Sequence, residues 1–153
     1  MSLDREKILD LIDGTELVQI DGPGPRGWVY FIVCNETARC KIGFTKGDPQ
    51  KRLRSLQTGS PGELVMLVKQ PGTPTTEAKL HERFAPSRVR GEWFDLTDEL
   101  QAYMVRVVWG MAEIYLSRAA KMEPWLAAAL FYIFERLETM PDSLIELLEA
   151  EPA

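Results

Sequence analysis

The sequence predicts an α+β domain, a small, mainly antiparallel three-stranded sheet flanked by helices, with an all-helical C-terminal extension. Three observations predict it. WVYFIVC (28–34) is rich in β-branched and aromatic residues, and CKIGF (40–44) follows it after the turn NETAR, too short a link for anything but an antiparallel hairpin. Two stretches further on, around Arg52 and Glu77, space their apolar residues as helices do and bracket a third strand, ELVMLVKQ (63–70). From residue 98 the apolar positions keep to three- and four-residue steps, which is helical periodicity alone.

Taken in order, residues 4–13 place Ile8, Leu11 and Ile12 on one helical face, with Asp4 as cap and Gly14 as stop. DGPGPRG (21–27) holds three Gly and two Pro in seven residues, a linker after which the main domain begins. This divides the chain into an N-terminal helix and linker (1–26), a central domain (27–98) and a helical extension (99–153). Asp48 followed by Pro49 is an N-cap with proline at the first helical position, and that helix runs to about Thr58, stopped by Gly59 and Pro61. The third strand is nearly continuous in apolar residues, as a strand buried on both faces would be. PGTPTT supplies threonine caps for TEAKLHERFA, and RVRGEWFDL (88–96) reads as a loop ending in a short extended piece. Thr97-Asp98-Glu99 caps a long helix carrying Leu100, Tyr103, Met104, Val107, Met111, Ile114 and Tyr115 on one side. Pro124 opens another helix, and a last short one follows Pro141. These C-terminal helices are expected to pack on the first domain or on a second copy of the chain.

Composition narrows the class. A chain of 153 residues can bury one ordinary core without staples. The longest uncharged apolar run, PWLAAALFYIF, has 11 residues, against the roughly 20 that a membrane-spanning helix needs. No signal peptide is read, since Asp4, Glu6 and Asp10 interrupt the N-terminus, and a cytoplasmic protein without a membrane partner is expected. Two cysteines and one histidine build neither a disulfide framework nor a four-ligand zinc site, so Cys34 and Cys40 are expected as reduced thiols in adjacent strands. Net charge is −5, but residues 25–98 hold 12 Lys/Arg against 8 Asp/Glu while the remainder holds 6 against 15. A basic middle between acidic ends fits a polyanion-binding core, with Lys46, Lys51, Arg54, Arg88 and Arg90 as the nucleic-acid-binding residues.

Four polar residues lie in or beside positions that should be apolar: Tyr30, Lys41, Arg52 and Glu77. Pro49, Arg52, Leu53 and Leu56 form one helical stripe, so Arg52 sits on or at the edge of the buried face. Its guanidinium either finds an anion or lifts its head into water. Glu77, Leu80, His81 and Phe84 repeat the offsets, which leaves Glu77 as half of an ion pair, perhaps with Arg52, or as a ligand for a hard cation. His81 suits a satisfied core histidine better than a base. Taken singly, Tyr30 is a strand aromatic and Lys41 a solvated lysine. Together the four suit attack on a phosphodiester, which needs an activated water, a metal and positive charge at the phosphoryl oxygens. Tyr30 and Lys41 share a sheet face only if facing residue numbers sum to an odd value, as with Cys34 opposite Lys41.

In order and spacing, Val29-Tyr30, Lys41-Ile42-Gly43, Arg52 and Glu77 resemble the GIY-YIG endonuclease superfamily, over about residues 27–98. The ending ExxLHxRF…GEWF resembles the branch whose second motif reads KIG. The resemblance implies a metal-dependent endonuclease acting on nucleic acid, DNA foremost. Tyr30 would take the proton of the attacking water, with Lys41 favouring its phenolate, and Arg52 would clamp the scissile phosphate. Glu77 would hold one Mg²⁺ or Mn²⁺ at the leaving oxygen. His81 and Glu92 fall near these in the motif pattern, as supporting residues without an assigned step. Two positions depart from the pattern: Trp28 replaces the first motif's glycine and Lys41 the second motif's tyrosine. The alternative function is a catalytically silent nucleic-acid-binding or scaffold domain of the same fold.

Overall fold

In the computed structural model, which describes residues 10, 11, 14–20, 22, 24–108 and 110, two strands and a helix open the domain. Strand β1 is Gly27–Cys34, β2 is Arg39–Thr45, and helix α1 is Pro49–Thr58. Asp48 caps α1 by accepting from the Gln50 amide at 2.9 Å, and Pro49 occupies the first turn, where its missing N–H costs nothing. Strand β3, Leu64–Gly72, leads into α2, Pro74–Arg83. Here Thr73 and Thr76 satisfy each other's amides in a reciprocal capping box. A 3-10 turn at Ala85–Ser87 precedes β4, Arg88–Arg90, and β5, Trp93–Asp95. Helix α3 covers residues 98–108, begun by Thr97, whose hydroxyl accepts from the Leu100 amide at 3.3 Å.

The strands form one antiparallel sheet in the order β3-β1-β2-β5-β4. The protein is thus α+β, but the expected three-stranded sheet is five-stranded. The segment expected as a loop, 88–96, is a short hairpin turned at Gly91, whose φ of +55° lies in the left-handed region that glycine enters without strain. Strands of three residues are too short to show alternation in sequence, and pairing of β5 with the open edge of β2, and of β4 with β5, is what makes them strands. With that edge occupied on one side, β3 is left at the other. Nor is it buried on both faces, since exposed and half-buried residues interrupt it. A bulge between its pairings with Phe31 and Ile32 turns Leu67 outward, 53 % exposed.

Alternation along β1 divides the core. Val29, Phe31 and Val33 join Cys40, Ile42 and Phe94 on one face, covered by Leu80 of α2, by Phe84 at its C-cap and by Leu100, Tyr103, Met104 and Val107 of α3. Tyr30, Ile32 and Cys34 occupy the other face with Leu64, covered by Leu53 and Leu56 of α1 and flanked by Met66 and Trp93. The expected all-helical extension from residue 99 is not supported. Residues 98–108 are integral to the domain core, and the helices expected around 124–139 and after Pro141 lie outside the described residues, as do Met111, Ile114 and Tyr115. The N-terminal helix is described only at Asp10 and Leu11, with Gly14 donating to the Asp10 carbonyl at 3.2 Å.

Tyr103 ties three segments together. Its buried hydroxyl donates to Gln70 Oε1 at 2.7 Å and accepts from the Val18 amide at 3.2 Å, and burial pushes its titration upward, which keeps it a neutral donor. Tyr103→Phe keeps the ring but strands a buried acceptor and a half-buried N–H. It is expected to lower unfolding stability in urea by about 1–3 kcal/mol.

Candidate active site on one face of the sheet

The sequence brings Tyr30 to the α1 face because every second residue of β1 points there. Tyr30 stands opposite Gly43, and Ile32 stands opposite Lys41. The facing numbers sum to an odd value, so Tyr30 and Lys41 share this face, one pair away from the Cys34–Lys41 pairing offered as an example of it. The Tyr30 ring lies directly across Gly43: a Cβ there would stand 2.4 Å from both its Cζ and its hydroxyl oxygen. Nothing larger than glycine leaves room for it. Pinned in this way, the hydroxyl accepts from Arg52 Nε at 3.3 Å. Among the described residues the Arg52 guanidinium forms no ion pair, so its remaining N–H groups face solvent from an exposed helix position. Its bond to Tyr30 is the first cause that holds its titration above the usual arginine value, and the Glu92 charge adds to it.

Lys41 is not the solvated lysine that its strand position suggests in isolation. It is 8 % exposed, and its ammonium forms an ion pair with Glu92 Oε2 while lying 6.0 Å from the Trp93 ring centroid. The cation that touches the Tyr30 hydroxyl is therefore Arg52, and Lys41 is engaged by a carboxylate. Glu92, which the sequence left without a step, is the partner of Lys41. Its backbone oxygen also accepts from the Ile42 amide at 3.0 Å, just ahead of the first residue of β5. The signal for it was the Gly91-Glu92 corner, which only a hairpin at 88–95 makes readable.

Past that point His81 closes the ladder. Its Nε2 meets the Ile42 carbonyl oxygen at 2.8 Å, and since a carbonyl only accepts, Nε2 carries the proton. The ring packs on Phe94 at 5.2 Å between centroids, so His81 is a satisfied histidine. Glu77 lies one turn before it, with Oε1 3.8 Å from His81 Nε2, too long for a hydrogen bond. Arg52 and Glu77 sit on helices that pack against opposite faces of the sheet, and no ion pair joins them. The Glu77 carboxyl is held above the usual carboxylate range, first by burial and then by the Glu92 charge, with His81 and Lys41 opposing. Tyr30, Arg52, Lys41 and Glu92 thus form one contiguous set. Glu77 and His81 approach it from the other side, at the edge of β2 beyond β5.

A divalent cation with one carboxylate ligand and otherwise water and phosphate oxygens is an ordinary magnesium arrangement. Glu77 fits that role: it is partly buried, short of a hydrogen-bond donor, and raised in a way that a cation would relieve. Among the described residues no group of three or more His, Cys, Asp or Glu side chains forms a fuller ligand set. The expected nucleic-acid-binding residues Lys46, Lys51, Arg54, Arg88 and Arg90 are all exposed, but they do not act alike. Arg88 donates to the His81 carbonyl at 3.3 Å and covers the Phe94 ring, so it braces α2, while Arg90 turns to the face that carries Tyr30 and Trp93. The two thiols are free and buried in adjacent strands, and burial pushes Cys40 up to about 12. No helix among the described residues is long and apolar enough to cross a membrane. Comparison with protein-family models, with curated proteins and with solved structures finds no match to this chain.

Two outcomes test this geometry. Gly43→Ala is expected to displace Tyr30 and to cost about 1–3 kcal/mol in urea unfolding. Glu77→Gln tests the strained carboxylate. Because the folded carboxyl holds its proton more tightly than the unfolded one, ionising it costs stability above its raised titration point. The cost vanishes once both states are protonated. The variant is therefore expected to melt higher than wild type at pH 7, with a gain that shrinks away by about pH 4.

Proposed function

We propose that the chain is a metal-dependent endonuclease of GIY-YIG type that hydrolyses DNA phosphodiester bonds. The observation that carries this reading is the Arg52 Nε bond to the Tyr30 hydroxyl, with the rest of the guanidinium free toward solvent. A phosphate bridged by those N–H groups would lie beside the phenol oxygen, close enough for a water hydrogen-bonded to that oxygen to attack the phosphorus in line. Tyr30, as phenolate, takes the proton of the attacking water. Arg52 binds the non-bridging oxygens and offsets the charge that develops on them. Glu77 would hold the Mg²⁺ or Mn²⁺, and the ion would supply positive charge for the leaving oxygen. Lys41 adds its charge to the face at one remove, since Glu92 holds it. A cytoplasmic setting agrees with two free thiols in facing strands.

One observation favours the second reading, a nucleic-acid-binding domain that does not cut. Where the second motif of the resembled family has a tyrosine, this chain has a lysine already neutralised by Glu92. Cleavage of supercoiled plasmid with Mg²⁺ or Mn²⁺ separates the two. Wild type is expected to nick, and EDTA and Glu77→Ala to abolish nicking. Tyr30→Phe is expected to slow it roughly 10²–10⁴-fold, and Arg52→Ala roughly 10²–10³-fold. A folded wild type that binds the plasmid and leaves it intact would establish the silent domain instead.

A further inference from the structure

The sheet face that carries Tyr30 continues past Ile32 to Cys34, about 13 Å further along the strand, and there opens into a groove of about 490 Å³. Its floor is apolar, made by the buried Cys34 and Leu64. Trp93 forms one wall and the exposed Val89 one lip, with Arg39 and Arg90 at the rim. Its one acidic group, Glu36, is exposed, and its carboxylate accepts from the Cys34 thiol at 3.4 Å and from the Glu63 amide at 3.4 Å. Arg39 leans toward Asp95 at 3.8 Å across an exposed pair, and Arg90 has no ion-pair partner among the described residues. Trp93 joins this groove to the candidate active site, because it stands opposite Lys41 in the sheet and its ring lies under the Lys41 ammonium.

We infer that this groove is a nucleobase pocket: it takes an unstacked base of the strand whose phosphate Arg52 contacts. The inference rests on the nucleic-acid reading above and extends it to the substrate class. The volume falls within the range of about 300–1,000 Å³ typical of ligand pockets. An aromatic wall offers a π-face to any base, while cations at the rim meet the phosphates on either side of it. An apolar peptide side chain would use the floor but gain nothing from two arginines at the rim. A base can enter only when it is out of the duplex stack, so the preferred substrate is single-stranded, gapped or branched rather than continuous duplex.

The test is binding measured in EDTA by fluorescence anisotropy, with a labelled single-stranded oligonucleotide and a blunt duplex of equal length. The duplex carries twice the phosphate charge, so a single-strand preference cannot be electrostatic in origin. Wild type is expected to bind the single strand at least 10-fold tighter than the duplex. Trp93→Leu, which keeps apolar bulk without the π-face, is expected to lose roughly 10-fold on the single strand, and Trp93→Phe to retain most of the affinity. Abasic residues in the oligonucleotide should cost wild type a similar factor and Trp93→Leu little. Thermal melts of each variant confirm folding, and Arg90→Ala, at an exposed position, gives the rim's contribution without touching the wall. Equal affinity for single strand and duplex, or a Trp93→Leu protein that binds like wild type, overturns the pocket. Plasmid nicking without the preference removes the pocket and leaves the nuclease; the preference without nicking does the reverse. No binding of either oligonucleotide overturns both.

Discussion

The candidate site depends on one steric fact: the Tyr30 ring lies flat across β2 at Gly43, where a single Cβ would overlap it. A fully buried tyrosine in a central strand would ordinarily point its hydroxyl wherever neighbouring side chains allow. Here the ring has one lane, between α1 and the bare backbone of Gly43, and the lane ends at Arg52. The arginine in turn is placed by helix geometry. Leu53 and Leu56 fix the buried stripe of α1 against Ile32 and Leu64, and Arg52 follows at its edge. Backbone pairing, a missing side chain and a helical period therefore set the position of two polar groups without any bond made for that purpose.

Much of this could be read in advance, and the reason is periodicity. Eight residues of β-branched and aromatic chain in β1 and ten residues of helical stripe in α1 and α2 are long enough to carry a pattern, and proline in the first turn marks both helix starts. Parity gave only a condition, that Tyr30 and Lys41 share a face if facing numbers sum to an odd value, and the observed pairing of Ile32 with Lys41 is what meets it. What escaped was shorter than a period. Arg88–Arg90 and Trp93–Asp95 have three residues each, and nothing local distinguishes them from a loop. The burial expected of β3 came from its run of apolar residues, and such a run does not show that the strand pairs on one side only, with β1. Composition likewise overstated the break at residue 98: a run of helical periodicity looks the same whether it is appended or, as Leu100 and Tyr103 are, buried against β1.

The electrostatics show a division of labour that the spacing of charged residues did not disclose. Glu92 stands at the centre of it. Its carboxylate binds Lys41, adds to the stabilisation of the Arg52 cation, and repels the Glu77 charge. Two carboxylates and two cations within mutual influence, with a third cation-capable group in His81, leave Glu77 the least compensated member. Its nearest basic nitrogen is already committed to the Ile42 carbonyl. A surface ion pair would be worth little, but the Lys41 side chain is only 10 % exposed, so this pair is sheltered on the lysine side and open on the side of Glu92, which is 43 % exposed.

The hairpin that sequence patterning missed is also where the chemistry of the face is assembled. It delivers Glu92 to Lys41, Trp93 to the adjacent wall and Arg90 to the rim of the groove, all within four residues of the chain. A three-stranded sheet would leave Lys41 without the Glu92 carboxylate and the Trp93 ring beside it. With β5 in place, the polar end of the face is enclosed on one side and joined to an apolar groove on the other. The turn that permits this is Gly91, the one residue of the segment whose backbone lies in the left-handed region. Gly43 and Gly91 thus do complementary things: one makes room for the tyrosine ring, and the other brings round the strand that supplies its neighbours.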